Sequence, residues 1–159
     1  MCWQCDHPGA SSADYREHLR RLLDQSRWLV QGVQRDRGRP PYAYTVGLPR
    51  HQRPELVVTG LPHQQAAELL NTAAEQVIAA EMPLPGERLP LRDWPQLELV
   101  RVAEPAVHLT MAAALNGPGF AALQLVYTDD QGRWPWDKSF RDGRGTQPVL
   151  GARTVTRKR

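Results

Sequence analysis

The chain has 159 residues, of which 41% are hydrophobic and 23% charged, the composition of one ordinary globular domain. No apolar run approaches the roughly 20 residues that a membrane-spanning helix needs, and the N-terminus lacks the basic and apolar regions of a secretory signal. We therefore expect a cytoplasmic protein, in which two cysteines are more often reduced, catalytic or metal-bound than joined in a structural disulfide.

The net charge of +3 is unevenly distributed along the chain. Residues 1–60 carry nine basic and six acidic side chains, residues 61–132 three and nine, and residues 133–159 eight and two. The basic C-terminal stretch, which ends in Arg157-Lys158-Arg159, could contact an acidic partner, although a solvated tail is the more common role. Nucleic-acid binding is disfavoured, because its arginines form no helical stripe and no aromatic residues alternate with them after Phe140.

A helix is predicted directly after a Cys/His head that occupies residues 1–10. Ser11 and Asp14 have the spacing of a capping box, which marks the start of a helix. Apolar residues then recur at helical spacing and give this helix one apolar face: Tyr15, Leu19, Leu22 and Leu23.

Three β-rich segments follow this helix and are separated by turn residues. They occupy residues 28–34, 42–46 and 55–59. Because short turns connect antiparallel neighbours, we predict an antiparallel meander. Gly32 lies inside the first segment, where a glycine is typical of a β-bulge.

The second half of the chain alternates helical and strand patterns. A long helix is predicted from Pro62 to near Met82, with an apolar stripe made of Ala66, Leu69, Leu70, Ala73, Val77 and Ile78. Next come a strand over residues 97–102, a helix over 105–115, a strand over 122–128 and a hairpin turn over 129–132. This order predicts a single α+β domain over residues 11–150, with about five mainly antiparallel strands, three helices packed on them, and a basic tail over residues 151–159.

Four segments carry a family resemblance in their order and spacing. They are residues 2–8 (C-x-x-C-D-H-P), 44–48 (YTVGL), 54–58 (PELVV) and 147–148 (QP). Together they resemble a bacterial and phage family known as domain of unknown function 4262. The resemblance spans almost the whole chain and implies a small intracellular α+β domain, without implying an activity.

The clearest candidate for chemistry is the head, where Cys2, Cys5 and His7 form a C-x-x-C-x-H pattern. Thiolates and a neutral imidazole are ligands that zinc and iron accept. A tetrahedral ion closed by a fourth protein ligand would be structural, whereas an open position could hold a water of lowered pKa and support catalysis. The sequence therefore predicts a metal site, structural or catalytic.

The fourth ligand is open among three histidines, His18, His63 and His108, and Asp6 is disfavoured by its crowded position between Cys5 and His7. His18 is the nearest in sequence and lies on the first predicted helix, so we assign it to the site. Asp14 precedes His18 by one helical turn, and it could orient the imidazole or simply cap the helix.

Other interpretations of the head involve no metal. A free terminus without ligands is as common as a metal site at such a position, and the two cysteines have the spacing of a redox pair. If Met1 is removed, the α-amine of Cys2 could serve as base for its own thiol, as in a cysteine-dependent hydrolase or transferase.

A metal-free interaction module is the remaining alternative. Tyr42, Tyr44, Trp134 and Trp136 could line a pocket that stacks a ring-bearing ligand, although aromatic residues at strand spacing more often pack a sheet. Pro135 limits strand pairing around the two tryptophans, so their surface, together with the basic tail, is where an acidic partner would bind.

Overall fold

The computed structural model describes residues 3–34 and 37–154, and these residues form one five-stranded sheet with helices on both faces. The predicted α+β class is confirmed. The helices are α1 (Trp3–Asp6), α2 (Ser12–Asp24), α3 (His63–Ala79), α4 (Pro105–His108) and α5 (Thr110–Asn116), and the strands are β1 (Leu29–Val33), β2 (Tyr42–Val46), β3 (Glu55–Thr59), β4 (Leu97–Arg101) and β5 (Ala122–Tyr127).

The strand order in the sheet is β1-β2-β3-β5-β4. The meander of β1, β2 and β3 is antiparallel, as predicted, and β4 is antiparallel to β5. The central pair, β3 and β5, is parallel, which sequence patterns did not indicate. Gly32 is not a bulge, because it pairs with Ala43 in an unbroken register, and the imidazole of His63 lies where a side chain at residue 32 would be.

The larger core lies between α3 and one face of the sheet. The predicted apolar stripe of α3 is buried there, in one cluster with apolar side chains of β2, β3, β4 and β5, and Ile78 packs at its margin. The helix ends at Ala79 rather than near Met82, because Ala80 is extended. The Arg53 guanidinium satisfies the carbonyls at this end of the helix, donating to Val77 O at 2.8 Å and to Ala80 O at 2.7 Å.

The second core lies on the opposite face, where α2 and α5 pack. The single helix predicted over residues 105–115 is two helices, because the backbone of Leu109 is non-helical and its side chain is fully buried. Two tyrosines of β2 satisfy the backbone at this break. The Tyr42 hydroxyl donates to His108 O at 3.0 Å, and the Tyr44 hydroxyl accepts from Met111 N at 3.0 Å. Both tyrosines therefore stabilise the fold.

Residues 146–154 cross the second face without regular secondary structure, and we call them the C-terminal strap. The fully buried Gln124 holds this strap, since its amide donates to Pro148 O at 2.7 Å and accepts from Leu150 N at 2.7 Å. Leu150 O in turn accepts from Ala103 N at 2.9 Å. The strap is thus tied to β5 and to the residue pair that follows β4.

The turn predicted over residues 129–132 forms, with Gly132 N donating to Asp129 O at 3.0 Å. It does not begin a hairpin, because no strand follows it in the described part of the chain, and residues 134–136 enter a second turn. Among the described residues, no helix combines the length and the apolar character that crossing a membrane requires.

Candidate functional site

The N-terminal head is organised around the indole of Trp3. The ring of His7 stacks on it at a centroid distance of 4.4 Å and the ring of His18 at 4.8 Å. His7 Nδ1 also lies 2.9 Å from Trp3 O. The structure therefore brings His18, from the middle of α2, to the same side chain as His7.

Asp14 caps α2 and does not orient His18. Its carboxylate accepts from Ser11 N at 2.8 Å, while Ser11 Oγ accepts from Asp14 N at 3.1 Å, which completes the predicted capping box. The hydrogen bond from the Ser11 backbone, together with the Ser11 side chain, lowers the pKa of Asp14. His63 and His108 lie elsewhere, the first beside Gly32 and the second at the end of α4.

The metal ligands predicted in the head are only partly within the described residues. Cys5 is exposed and His7 is exposed, whereas Cys2 lies outside the described residues. Within residues 3–34 and 37–154, no three His, Cys, Asp or Glu side chains lie close enough together to hold a metal ion.

The two tryptophans of the predicted interaction surface stack on each other. Their rings lie 5.2 Å apart at an interplanar angle of 8°. The guanidinium of Arg88 lies 4.3 Å from the Trp134 ring, and that of Arg153 lies 4.3 Å from the Trp136 ring. Trp134 and Trp136 thus each have a cation and an aromatic neighbour already, which leaves little ring surface for a ligand.

The two arginines of this stack also share one buried carboxylate. Glu98 is 3% exposed and accepts from Arg153 Nε at 2.8 Å and Nη2 at 3.1 Å, while Arg88 Nε lies 3.6 Å away. Arg153 belongs to the C-terminal basic stretch. One positive charge of that stretch is therefore neutralised within the fold by Glu98. Residues 157–159, predicted to meet an acidic partner, lie outside the described residues.

A buried carboxylate that sequence reasoning missed lies at the start of β3. Glu55 is fully buried and accepts from Thr45 Oγ1 at 2.5 Å, Gly47 N at 2.7 Å and Asn116 Nδ2 at 3.2 Å. Burial raises the pKa of Glu55 to about 7, although these hydrogen bonds oppose the shift. An acidic residue at the start of an apolar strand was the available signal. Because the protein's own donors occupy the Glu55 carboxylate, we assign it to the fold.

Asp129 organises the loops that follow β5. Its carboxylate accepts from the backbone N–H groups of Gln131 at 3.0 Å, Arg133 at 2.9 Å and Arg141 at 2.8 Å, and from Arg133 Nε at 2.8 Å. Burial opposes its ionisation, but the hydrogen bonds from Arg133, Arg141 and Gln131 prevail and lower the pKa of Asp129 to about 2. Asp129 is therefore ionised, and both of its carboxylate oxygens accept hydrogen bonds from other residues of the chain.

These loops border a cleft of about 610 Å³ beside the first turns of α3. Its walls come from residues 61–69 of the α3 region, residues 93–95 and the loops after β5. The volume is in the range of small-molecule sites. Sequence reasoning did not find this cleft, because its lining residues are distant in the chain and form no motif.

Comparison with known proteins gives one match. The model of the family described as Domain of unknown function (DUF4262) matches residues 22–141. This range holds all five strands, α3 and the cleft, whereas the head and the strap lie outside it. No curated protein and no solved structure matches the chain.

Proposed function

Because this chain belongs to the DUF4262 family, whose description gives no activity, we propose a function from its own residues: it binds one zinc or iron ion through Cys2, Cys5, His7 and His18. The first three ligands lie within six consecutive positions of the sequence. The fourth comes from α2. Such an ion would be held by two thiolates and two imidazoles, a ligand set typical of structural zinc.

The observation that carries this proposal is the position of His18. Both His18 and His7 lie against the indole of Trp3, although they are separated by a turn and half a helix. His63 lies beside Gly32 and His108 at the end of α4, and among the described residues neither makes a ring contact with Trp3. His18 is therefore the histidine that can close the site with the smallest rearrangement of the chain.

The role that follows is structural. A closed ion would pin the head to α2 and, through α2, to the second face of the sheet, where Leu19 and Leu23 are buried. The head on its own has a four-residue helix, which is too short to be stable in isolation. If His18 does not ligate, the fourth position is open to water, and the ion could act on a substrate by lowering the pKa of that water.

Cobalt(II) titration tests the ligand set, since thiolate-bound cobalt has a charge-transfer absorption and tetrahedral cobalt has intense visible bands. We expect both signals in the wild-type protein and loss of the charge-transfer band in Cys2→Ser/Cys5→Ser. His18→Gln should weaken binding at least tenfold and alter the tetrahedral bands. His63→Gln is the matched control and should behave as the wild type.

Two results would oppose the proposal in different ways. If cobalt produces no charge-transfer band in the wild-type protein, the cysteines hold no metal. If His18→Gln binds cobalt with unchanged affinity and spectrum, the closed site is excluded and the open site with three ligands is left.

A further inference from the structure

Arg141 is a half-buried cation at the wall of the cleft and is held in a fixed position. Its guanidinium lies 5.5 Å from the Tyr127 ring and 5.2 Å from the Phe140 ring, and Nη2 donates to the Tyr127 hydroxyl at 3.2 Å. Its backbone N–H donates to Asp129. These contacts maintain a left-handed backbone at Arg141, with φ 50°, which is unfavourable for a residue other than glycine.

This guanidinium has no carboxylate partner in the described part of the chain. Arg133, from the neighbouring loop, is paired with both Asp129 and Asp142 at 2.8 and 2.9 Å. Arg141 makes no such ion pair among the described residues, and its one side-chain hydrogen bond goes to a hydroxyl. The protein thus places a guanidinium at the cleft through its contacts with Tyr127 and Phe140, and no described carboxylate pairs with it.

The other walls of the cleft carry the opposite charge. Glu68, Asp93 and Asp130 line it, all are exposed, and none forms an ion pair within the described residues. Trp94 adds an aromatic side chain that is partly exposed. A purely cationic ligand would leave Arg141 uncompensated, and a purely anionic ligand would be repelled by three carboxylates.

We propose that this cleft binds a small ligand with one carboxylate and at least two cationic groups, the chemistry of a basic amino acid. The ligand carboxylate pairs with Arg141, whose planar donors suit a carboxylate. Its ammonium or guanidinium groups pair with Glu68, Asp93 and Asp130. The site involves no residue of the head, so it stands independently of the proposed metal.

Three ligands of matched shape test this charge pattern, with binding followed by the indole N–H resonance of Trp94 in ¹⁵N-labelled protein. Lysine carries both kinds of charge, cadaverine lacks only the carboxylate and norleucine lacks only the side-chain ammonium. We expect lysine, ornithine or arginine to shift the Trp94 resonance saturably. Cadaverine and norleucine should bind at least about tenfold more weakly than lysine, since each loses one charged contact.

Two variants distinguish the contribution of Arg141 to ligand binding from that of the carboxylates. Arg141→Met should reduce lysine binding to the level of cadaverine without weakening the binding of cadaverine. Asp93→Asn/Asp130→Asn should weaken lysine and cadaverine together. Both positions of the second variant are exposed and asparagine tolerates the positive φ of residue 93, so it should fold even if Arg141→Met does not.

The proposal is wrong if none of the three basic amino acids shifts the Trp94 resonance at concentrations up to about 50 mM. It is also wrong if cadaverine binds as tightly as lysine, because Arg141 then has no part in recognition. Unchanged lysine affinity in Asp93→Asn/Asp130→Asn would remove the carboxylates from the site.

Discussion

The side-chain amide of Gln147 pairs with the backbone of Tyr127, accepting from its N–H at 3.0 Å and donating to its C=O at 2.9 Å. Both residues are buried. One side chain thereby provides the two hydrogen bonds that a neighbouring strand would supply at the end of β5. The strap is anchored at this point, next to the loop that carries Arg141.

Replacing this amide by a carboxylate tests the anchor. In Gln147→Glu, a second oxygen would face the carbonyl of Tyr127, and a buried N–H donor is lost. We expect the free energy of unfolding to fall by about 1–3 kcal/mol, measured by urea denaturation at neutral pH. Gln131→Glu makes the same chemical change at an exposed position and should have little effect. Equal midpoints for the two variants would mean that the pairing contributes no stability.

The raised pKa of Glu55 makes stability depend on pH. Its ordinary pKa of 4.5 applies to the unfolded chain and about 7 to the folded protein, so between these values the folded protein keeps a proton that the unfolded chain has lost. The contribution of Glu55 to stability is therefore fully present below pH 4.5 and is lost as the pH rises to about 7. For a shift of this size the decrease is roughly 3 kcal/mol.

Glu55→Gln should remove this dependence. Its amide oxygen can accept from Gly47 N and Asn116, and its NH₂ group can donate to the Thr45 hydroxyl, so the packing is kept. Glu55→Gln should therefore gain stability relative to the wild type as the pH rises. Urea denaturation at several pH values measures this difference in the free energy of unfolding. A difference that is constant with pH would show that Glu55 does not titrate in this range.

Local sequence patterns predicted most elements because their causes are local. Ser11 and Asp14 specify the start of α2 by their own hydrogen bonds, and the stripe of α3 follows from helical periodicity. The parallel pairing of β3 with β5 and the break at Leu109 depend on contacts between distant residues, such as Tyr44 with Met111. No pattern within one segment encodes them.

The strap depends on the absence of a side chain at Gly151. A Cβ there would overlap the backbone carbonyl of Arg101, which cannot move without disturbing β4. Gly151→Ala should therefore lower the free energy of unfolding by about 1–3 kcal/mol, by thermal or urea denaturation. Gly119→Ala is the matched control, because a Cβ at Gly119 meets no atom within 4 Å. A Gly151 variant as stable as the control would show that the strap is loosely held.

The candidate sites differ in how far the sequence could reveal them. The head was found because Cys2, Cys5 and His7 are close in sequence, and the preference for His18 rested on proximity alone. The cleft at Arg141 was missed, because its charges come from α3 and two separate loops. In the sequence, Arg141 is one of several basic residues after position 133 and cannot be distinguished from a basic tail. Only the fold shows that it lies beside Tyr127.

The most direct test of metal binding is the zinc and iron content of untagged protein purified without chelator, beside Cys2→Ser/Cys5→Ser. We expect near-stoichiometric metal in the wild-type protein and its loss in the variant, together with a lower midpoint of thermal unfolding, because the head is no longer fixed to α2. Absence of metal from both proteins, or equal metal in both, would contradict a site built on these cysteines.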